Sequence, residues 1–157
     1  MTEKTLALTR GSGIAALYVA LVIAFQPISS GPVQFRVAEA LTLLPVLWAE
    51  AIPGLFVGCL VANIFGGQGF LDIFLGSAAT LVAAVLTRYA PNVTLAAASP
   101  VAVNGIVVGW YLSIITETPF VAAVFYVAAG EAMVCFALGI PLIKALKRLD
   151  LHFVDKK

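Results

Sequence analysis

The chain falls into six apolar runs, roughly residues 9–26, 35–49, 51–66, 71–89, 99–115 and 119–147, separated by Pro, Gly and polar punctuation. That pattern constrains the fold more than any single motif. Mean hydropathy is +1.06 and only 11% of residues are charged, too few to cover a water-facing surface. The expected fold class is an all-α integral membrane protein, a compact bundle of six transmembrane helices forming one domain over residues 1–157. The runs lack the two-residue alternation of a spanning β-barrel. The shorter runs cover only ~23–25 Å at 1.5 Å per residue, so they must lean on neighbours, border cavities or thin the bilayer.

The breaks have local causes. Ser99-Pro100 and Thr118-Pro119 each read as an N-cap followed by proline at the first helical position. Pro53 is expected to start the third helix after a tight turn at Glu50, which makes helices two and three a close hairpin. Pro45 and Pro141 fall inside their runs and predict kinks.

Charge sets the orientation. With the N-terminus in the cytoplasm, six crossings return the C-terminus there. Lys4, Arg10, Arg88, Lys144, Lys147, Arg148, Lys156 and Lys157 then lie inside, and of the nine basic residues only Arg36 lies outside. The expected location is the cell membrane, multi-pass, with both termini cytoplasmic. Residues 146–154 read as an interfacial extension of helix six, with His152 as a solvated residue there.

Several chemistries are excluded. The Gly66-Gly67-Gln68-Gly69 stretch has no following Lys-Ser/Thr pair, so the chain cannot build a phosphate-cradling loop and binds no ATP itself. The N-terminal run lacks a convincing small-residue cleavage site and reads as a retained helix. Cys59 and Cys135 sit among apolar residues without metal spacing and read as packing residues. A single His and no Cys/His cluster leave no zinc site, and no nucleophile–base set lies within the helices. No enzyme activity, cofactor, metal or nucleic-acid partner is expected.

The acids are more informative. Glu39, Asp72, Glu117 and Glu131 lie in or against the membrane, in its middle or on its outer side. Glu131 stands about twelve residues into helix six, where an ionised group costs at least ~2.5–3.5 kcal/mol. Such a residue faces the bundle interior and has a partner. It serves either a ligand or a structural hydrogen bond between helices. Asn104 lies at similar depth on helix five, and Tyr111, seven positions on, shares its face. A second polar group surrounds the first outer loop: Gln34, Phe35, Arg36 and Glu39. Arg36 and Glu39 are three apart and can pair on one helix face, as a rim salt bridge or as part of a site. Asn63 and Asp72 come near the same level, where Asp72 also suits a helix N-terminus.

These residues carry a family resemblance. Gln34-Phe-Arg-Val-Ala-Glu-Ala-Leu-Thr, Ala51-Ile-Pro-Gly-Leu-Phe-Val-Gly-Cys-Leu-Val-Ala-Asn63, Asp72-Ile-Phe-Leu-Gly-Ser-Ala-Ala-Thr80, Pro100-Val-Ala-Val-Asn104-Gly and Gly130-Glu131 resemble the QueT family. These are substrate-binding (S) components of energy-coupling-factor (ECF) transporters, associated with queuosine precursors. Ala38 stands where members often carry Ser. The resemblance implies six helices with both termini inside, a transmembrane coupling subunit and two cytoplasmic ATPases as partners, and docking through a small-residue face on helix one. Ser12, Ala16 and Ala20 have that spacing. It also implies a 7-deazaguanine substrate captured from outside.

For that substrate, Glu131 is the expected partner of the N1–H and N2–H₂ donors, and Asn104 the partner of O6 or a ring nitrogen. Glu39 or Asp72 would meet an aminomethyl cation, and Phe35, Trp110 or Tyr111 would stack on the base. By this reading Glu131 and Asn104 lie at mid-depth but Glu39 and Asp72 near the outer rim, so one small ligand is hard to place against both layers. The alternatives are a stand-alone proton-coupled carrier using Glu131, an S component for another vitamin-like substrate, and a structural subunit.

Overall fold

Val37–Val46 forms the axis of the molecule, and it is a 3-10 helix throughout. In the computed structural model, which describes residues 2–29, 35–66 and 69–154, this element (α2) packs against all five other long helices. Ala38 to Pro45 are buried without interruption. A segment buried on every side has no solvent face to set a 3.6-residue period. The 3-10 form, rising about 2.0 Å per residue, stretches ten residues to about 20 Å, where an α-helix would give about 15 Å. Thr42 Oγ1 donates to Glu39 O at 2.6 Å within it.

Around this axis stand α1 (Glu3–Ala24), α3 (Ala51–Phe65), α4 (a π-helix Asp72–Gly76 continued by the α-helix Ser77–Tyr89), α5 (Val93–Ile115) and α6 (residues 120–154). A short turn of helix, Gln26–Ser29, follows α1. The fold is all-α, an integral membrane protein with no strand among the described residues. Four helices are long and apolar enough to cross a bilayer: Glu3–Ala24, Asp72–Tyr89, Val93–Ile115 and Phe120–Leu149. The other two, α2 and α3, are shorter.

Several boundaries differ from the sequence reading. Helix one begins at Glu3 because Thr2 caps it, its Oγ1 accepting from Thr5 N at 3.3 Å. The third helix starts at Ala51, placing Pro53 in its first turn, where no helical N–H is required. Helix five begins at Val93, not at Ser99-Pro100. Asn92 is the cap, its Oδ1 accepting from Leu95 N at 2.8 Å, and Pro100 lies inside the helix. Proline removes the donor that Ala96 O would otherwise receive. Thr87 Oγ1 of α4 supplies one instead, at 3.2 Å. Helix six begins at Phe120 with Pro119 as its cap, and the Thr118 hydroxyl pairs with Thr116 Oγ1 at 2.9 Å. Glu117, in that turn, holds a left-handed φ of 54°. Pro141 is accommodated by the π-turn Cys135–Gly139 immediately before it.

The helices approach closely where glycine allows it. A Cβ on Gly54 would lie 2.5 Å from Gly11 O, and one on Gly58 would lie 2.9 Å from Tyr18 Cβ, so α1 and α3 touch backbone to backbone. On Gly109 it would lie 2.7 Å from Val124 Cα, which brings α5 and α6 equally near. Small residues four apart therefore form both crossings, the packing device available where lipid offers no hydrophobic drive between helices.

The charges segregate along α2. At its C-terminal end Arg88 Nη1 donates to Pro45 O at 2.9 Å, satisfying a carbonyl that the helix end leaves free. Nearby, Arg10 pairs with Glu50 at 3.3 Å and lies 5.2 Å from the Trp48 ring centroid. Arg36 caps the opposite end.

Candidate functional site

Two polar clusters lie inside the bundle, joined by α2. Arg36 at its N-cap and Glu39 in its first turn are three residues apart, the spacing at which 3-10 side chains eclipse. They do not pair with each other, as their spacing suggested. Each turns to a different cluster.

The first cluster is built on Glu39, which is 1% exposed. Its Oε1 accepts from Tyr18 OH of α1 at 2.5 Å. Its Oε2 faces Asn104 Nδ2 of α5 at 3.5 Å, a long contact. The same amide nitrogen donates to Glu131 Oε1 of α6 at 2.9 Å. The Cys135 thiol makes weak contacts with Glu131 Oε2 at 3.8 Å and Glu39 O at 3.7 Å. One amide group thus serves two buried carboxylates from two other helices. Asn104 Oδ1, buried with the rest of its side chain, has no hydrogen-bond partner among the described residues.

The second cluster is built on Asp72, also buried. Its Oδ1 accepts from Arg36 Nη2 at 3.0 Å and from Tyr111 OH at 2.7 Å. The π-turn that opens α4 holds Asp72 in this position, and Asn63 Nδ2 of α3 fastens the turn by donating to Asp72 O at 2.8 Å. Gly76, four residues on, lies against the cluster: a Cβ there would be in ordinary van der Waals contact, 3.4 Å from Tyr111 OH and 3.6 Å from Asn63 Nδ2. π-Turns cost regular hydrogen bonds and recur at functional sites. Both π-turns among the described residues border these clusters, the second contributing Cys135.

The electrostatic balance is uneven. Glu39, Glu131 and Asp72 are buried carboxylates, and among the described residues Arg36 is the only basic side chain that bonds to any of them. Asp72 has a cation of its own. Among the described residues, Glu39 and Glu131 receive hydrogen bonds from neutral donors alone. A buried carboxyl group either takes up a proton or meets a cation or several donors, so this pair is suited to a cationic or donor-rich guest.

The sequence reading therefore holds in part for position. Glu131 and Asn104 lie together, Tyr111 shares the Asn104 face, and Asn63 meets Asp72. Glu39 and Asp72 are both buried between helices, and Asn104 joins Glu39 to Glu131, while Asp72 belongs to the other cluster with Arg36. Trp110 is 52% exposed on the outside of the bundle and touches neither cluster. It is one residue, about 100° of helical turn, from buried Tyr111, so both cannot face inward. Phe35 is half-buried at the start of α2. Gln34, Lys156, Lys157 and the His152 side chain lie outside the described residues. Ser12, Ala16 and Ala20 are exposed on α1.

Tyr18 was not foreseen. The signal was present: a tyrosine in the middle of a membrane helix, two residues from Ala16 and from Ala20, must find a partner for its hydroxyl. Cys135, Thr42 and Gly76 left no comparable trace.

The sequence matches the family model described as QueT transporter over residues 8–148. It is 37% identical over 71 residues to the queuosine precursor transporter QueT of Lactococcus lactis subsp. cremoris (strain MG1363). That alignment covers 44% of the chain and 41% of the relative. No solved structure matches the chain.

Proposed function

Because the chain belongs to the QueT transporter family, we propose that it is the substrate-binding component of an ECF-type importer for queuosine precursors of the 7-deazaguanine class. One observation carries this reading: Asn104 stands between two buried carboxylates without a counter-cation, its own carbonyl unpartnered. A nitrogen-rich heterocycle brings the missing donors and an acceptor for the amide. The interior carries recognition groups from α2, α5 and α6, and the chain does no covalent chemistry.

Energy comes from partners, a transmembrane coupling subunit and two cytoplasmic ATPases that use ATP. Exposed Ser12, Ala16 and Ala20 on α1 give the coupling subunit a small-residue face. On the opposite side of the same helix, Tyr18 reaches Glu39, so docking face and binding cluster share one rigid element. The end of the bundle holding Arg10 and Arg88 faces the cytoplasm, as do both termini. Ligand enters from the Arg36 end and leaves inward when the partners reorient the component.

The test is uptake of labelled precursor by cells with and without the coupling subunits. Uptake that depends on them supports the reading, and equal uptake discards it. Uptake by the purified chain alone in liposomes, abolished by an uncoupler, would select a proton-coupled carrier instead.

A further inference from the structure

A groove on the outside of the bundle runs along α1 at the end that carries Arg10. Gly13 and Leu17 of α1 form one wall, Leu41 and Leu44 of α2 the floor, and Leu142 and Leu146 of α6 the other wall. Its volume is about 270 Å³, and Arg10 is the only charged residue that lines it. We propose that this groove binds one anionic phospholipid, with an acyl chain lying along Gly13 and Leu17 and the headgroup phosphate held by Arg10. The inference concerns the lipid-facing surface and does not depend on the imported substrate.

The groove exists because α1 withholds a side chain there. A Cβ on Gly13 would meet nothing within 4 Å, whereas one on Gly54 or Gly58 would strike α1. Those two glycines bring helices together, and Gly13 instead leaves a space that none of the described residues fills. Leu17, one turn on, lines the groove and is still 48% exposed. Arg10 to Leu17 spans about 10 Å of helix, a length that suits a hydrocarbon chain. In a bilayer such walls offer close packing and no hydrophobic drive. They fix the kind of group that lies in the groove, and charge decides which lipid it belongs to.

Arg10 is placed to hold a phosphate. Its Nη1 donates to Glu50 Oε1 at 3.3 Å, and its guanidinium lies 5.2 Å from the Trp48 ring centroid. These contacts fix the group at the mouth of the groove. They leave its other N–H groups without an acceptor among the described residues and its side chain 39% exposed. A guanidinium meets phosphate oxygens through paired N–H donors. Lys147 and Arg148, exposed directly after Leu146, join Arg10 in outnumbering Glu50 at this end. Trp48 also lines the groove, and tryptophan belongs at headgroup level. A zwitterionic headgroup brings its own ammonium to this basic mouth and gains less from it than an anionic one.

The experiment is quenching of Trp48 fluorescence by brominated lipids, with the full-length chain reconstituted in phosphatidylcholine vesicles. The chain has two tryptophans, so Trp110→Phe serves as the parent and leaves Trp48 as the reporter. Brominated phosphatidylglycerol should quench at roughly a fifth of the mole fraction that brominated phosphatidylcholine needs, the factor for one basic residue at an anionic surface. Arg10→Gln should erase that preference. Gly13→Leu, which fills the groove without a clash, should weaken quenching by both lipids. Lys147→Gln with Arg148→Gln should keep most of the preference. Equal quenching of the parent by the two lipids overturns the proposal, as does no quenching by either, the result of a groove covered by a second copy. A preference that survives Arg10→Gln, or that the Lys147 and Arg148 pair removes as completely, overturns it by making the effect a property of the charged surface. Unchanged quenching in Gly13→Leu overturns the part given to the groove. If Arg10→Gln does not fold, the parent ratio and Gly13→Leu decide.

Discussion

Arg36 and Asp72 form an ion pair at 3.0 Å with side-chain exposures of 12% and 9%, and this pair makes a sharp quantitative prediction. Replacing Arg36 with Met keeps the length of the side chain and removes its charge. Asp72 would then retain the Tyr111 hydroxyl at 2.7 Å but no cation. Breaking a buried pair from one side costs about 3–5 kcal/mol, because the remaining charge stays buried and uncompensated. Asp72→Asn strands the guanidinium in the same way and should cost a similar amount, although its Oδ1 can still accept from Tyr111. The double variant leaves a thioether beside a neutral amide, with no stranded charge. It should be more stable than either single variant, within about 1–2 kcal/mol of the parent. The measurement is thermal unfolding of the purified protein in detergent. Each single substitution should lower Tm on the order of 10 °C, and the double should recover most of that loss. Additive losses, with the double variant worst, would refute the claim that these groups compensate each other in the interior.

Three other outcomes follow from the packing of the helices. Gly54→Ala should cost about 1–3 kcal/mol in an unfolding assay, since its Cβ meets the Gly11 carbonyl at 2.5 Å and backbone cannot step aside. An unchanged Tm would mean that α1 and α3 are not in backbone contact. Thr87→Val should cost about 1–3 kcal/mol by orphaning Ala96 O. That cost should shrink when Pro100→Ala restores the helical donor, and a constant cost would show that the hydroxyl is not serving the proline gap. Trp110→Ala should leave precursor affinity unchanged within about twofold, because the ring faces outward. A tenfold loss would put this residue back in the binding site.

How much of this was legible depends on whether the deciding interaction was local. Glu131 could be found from sequence because a carboxylate deep in an apolar run has few innocent explanations, and counting rises along two helices sufficed to bring Asn104 to it. The 2.9 Å contact between them is the result. The start of α5 could not be found that way. Ser99-Pro100 has the local preferences of a helix start, and they are overridden by a hydroxyl thirteen residues upstream on another helix. Arg36 and Glu39 failed for a related reason: their spacing permits a pair in any helix, but better partners at Asp72 and Tyr18 come from elements 36 and 21 positions away in sequence. The 3-10 geometry of α2 was equally hidden, since a segment buried on all sides leaves no hydropathic period to read.

That geometry explains why the two clusters can belong to one site. An α-helix turns three residues through about 300° and raises them about 4.5 Å. A 3-10 helix returns them to the same side and raises them about 6 Å. Arg36 and Glu39 therefore project from one side of α2 at two levels, one charge turned to Asp72 and the other to Asn104. The outer level is closed electrostatically by its own ion pair, and the inner one is left with acceptors in excess. A positively charged guest entering from the Arg36 end would pass a balanced pair and come to rest where the imbalance lies. On the function proposed above, selectivity would follow from which of the three buried carboxylates Arg36 neutralises. Moving the cation to the inner level, by Arg36→Met together with Asn104→Lys, should abolish binding of a cationic precursor. Retention of wild-type affinity in that variant would show that charge balance does not govern recognition.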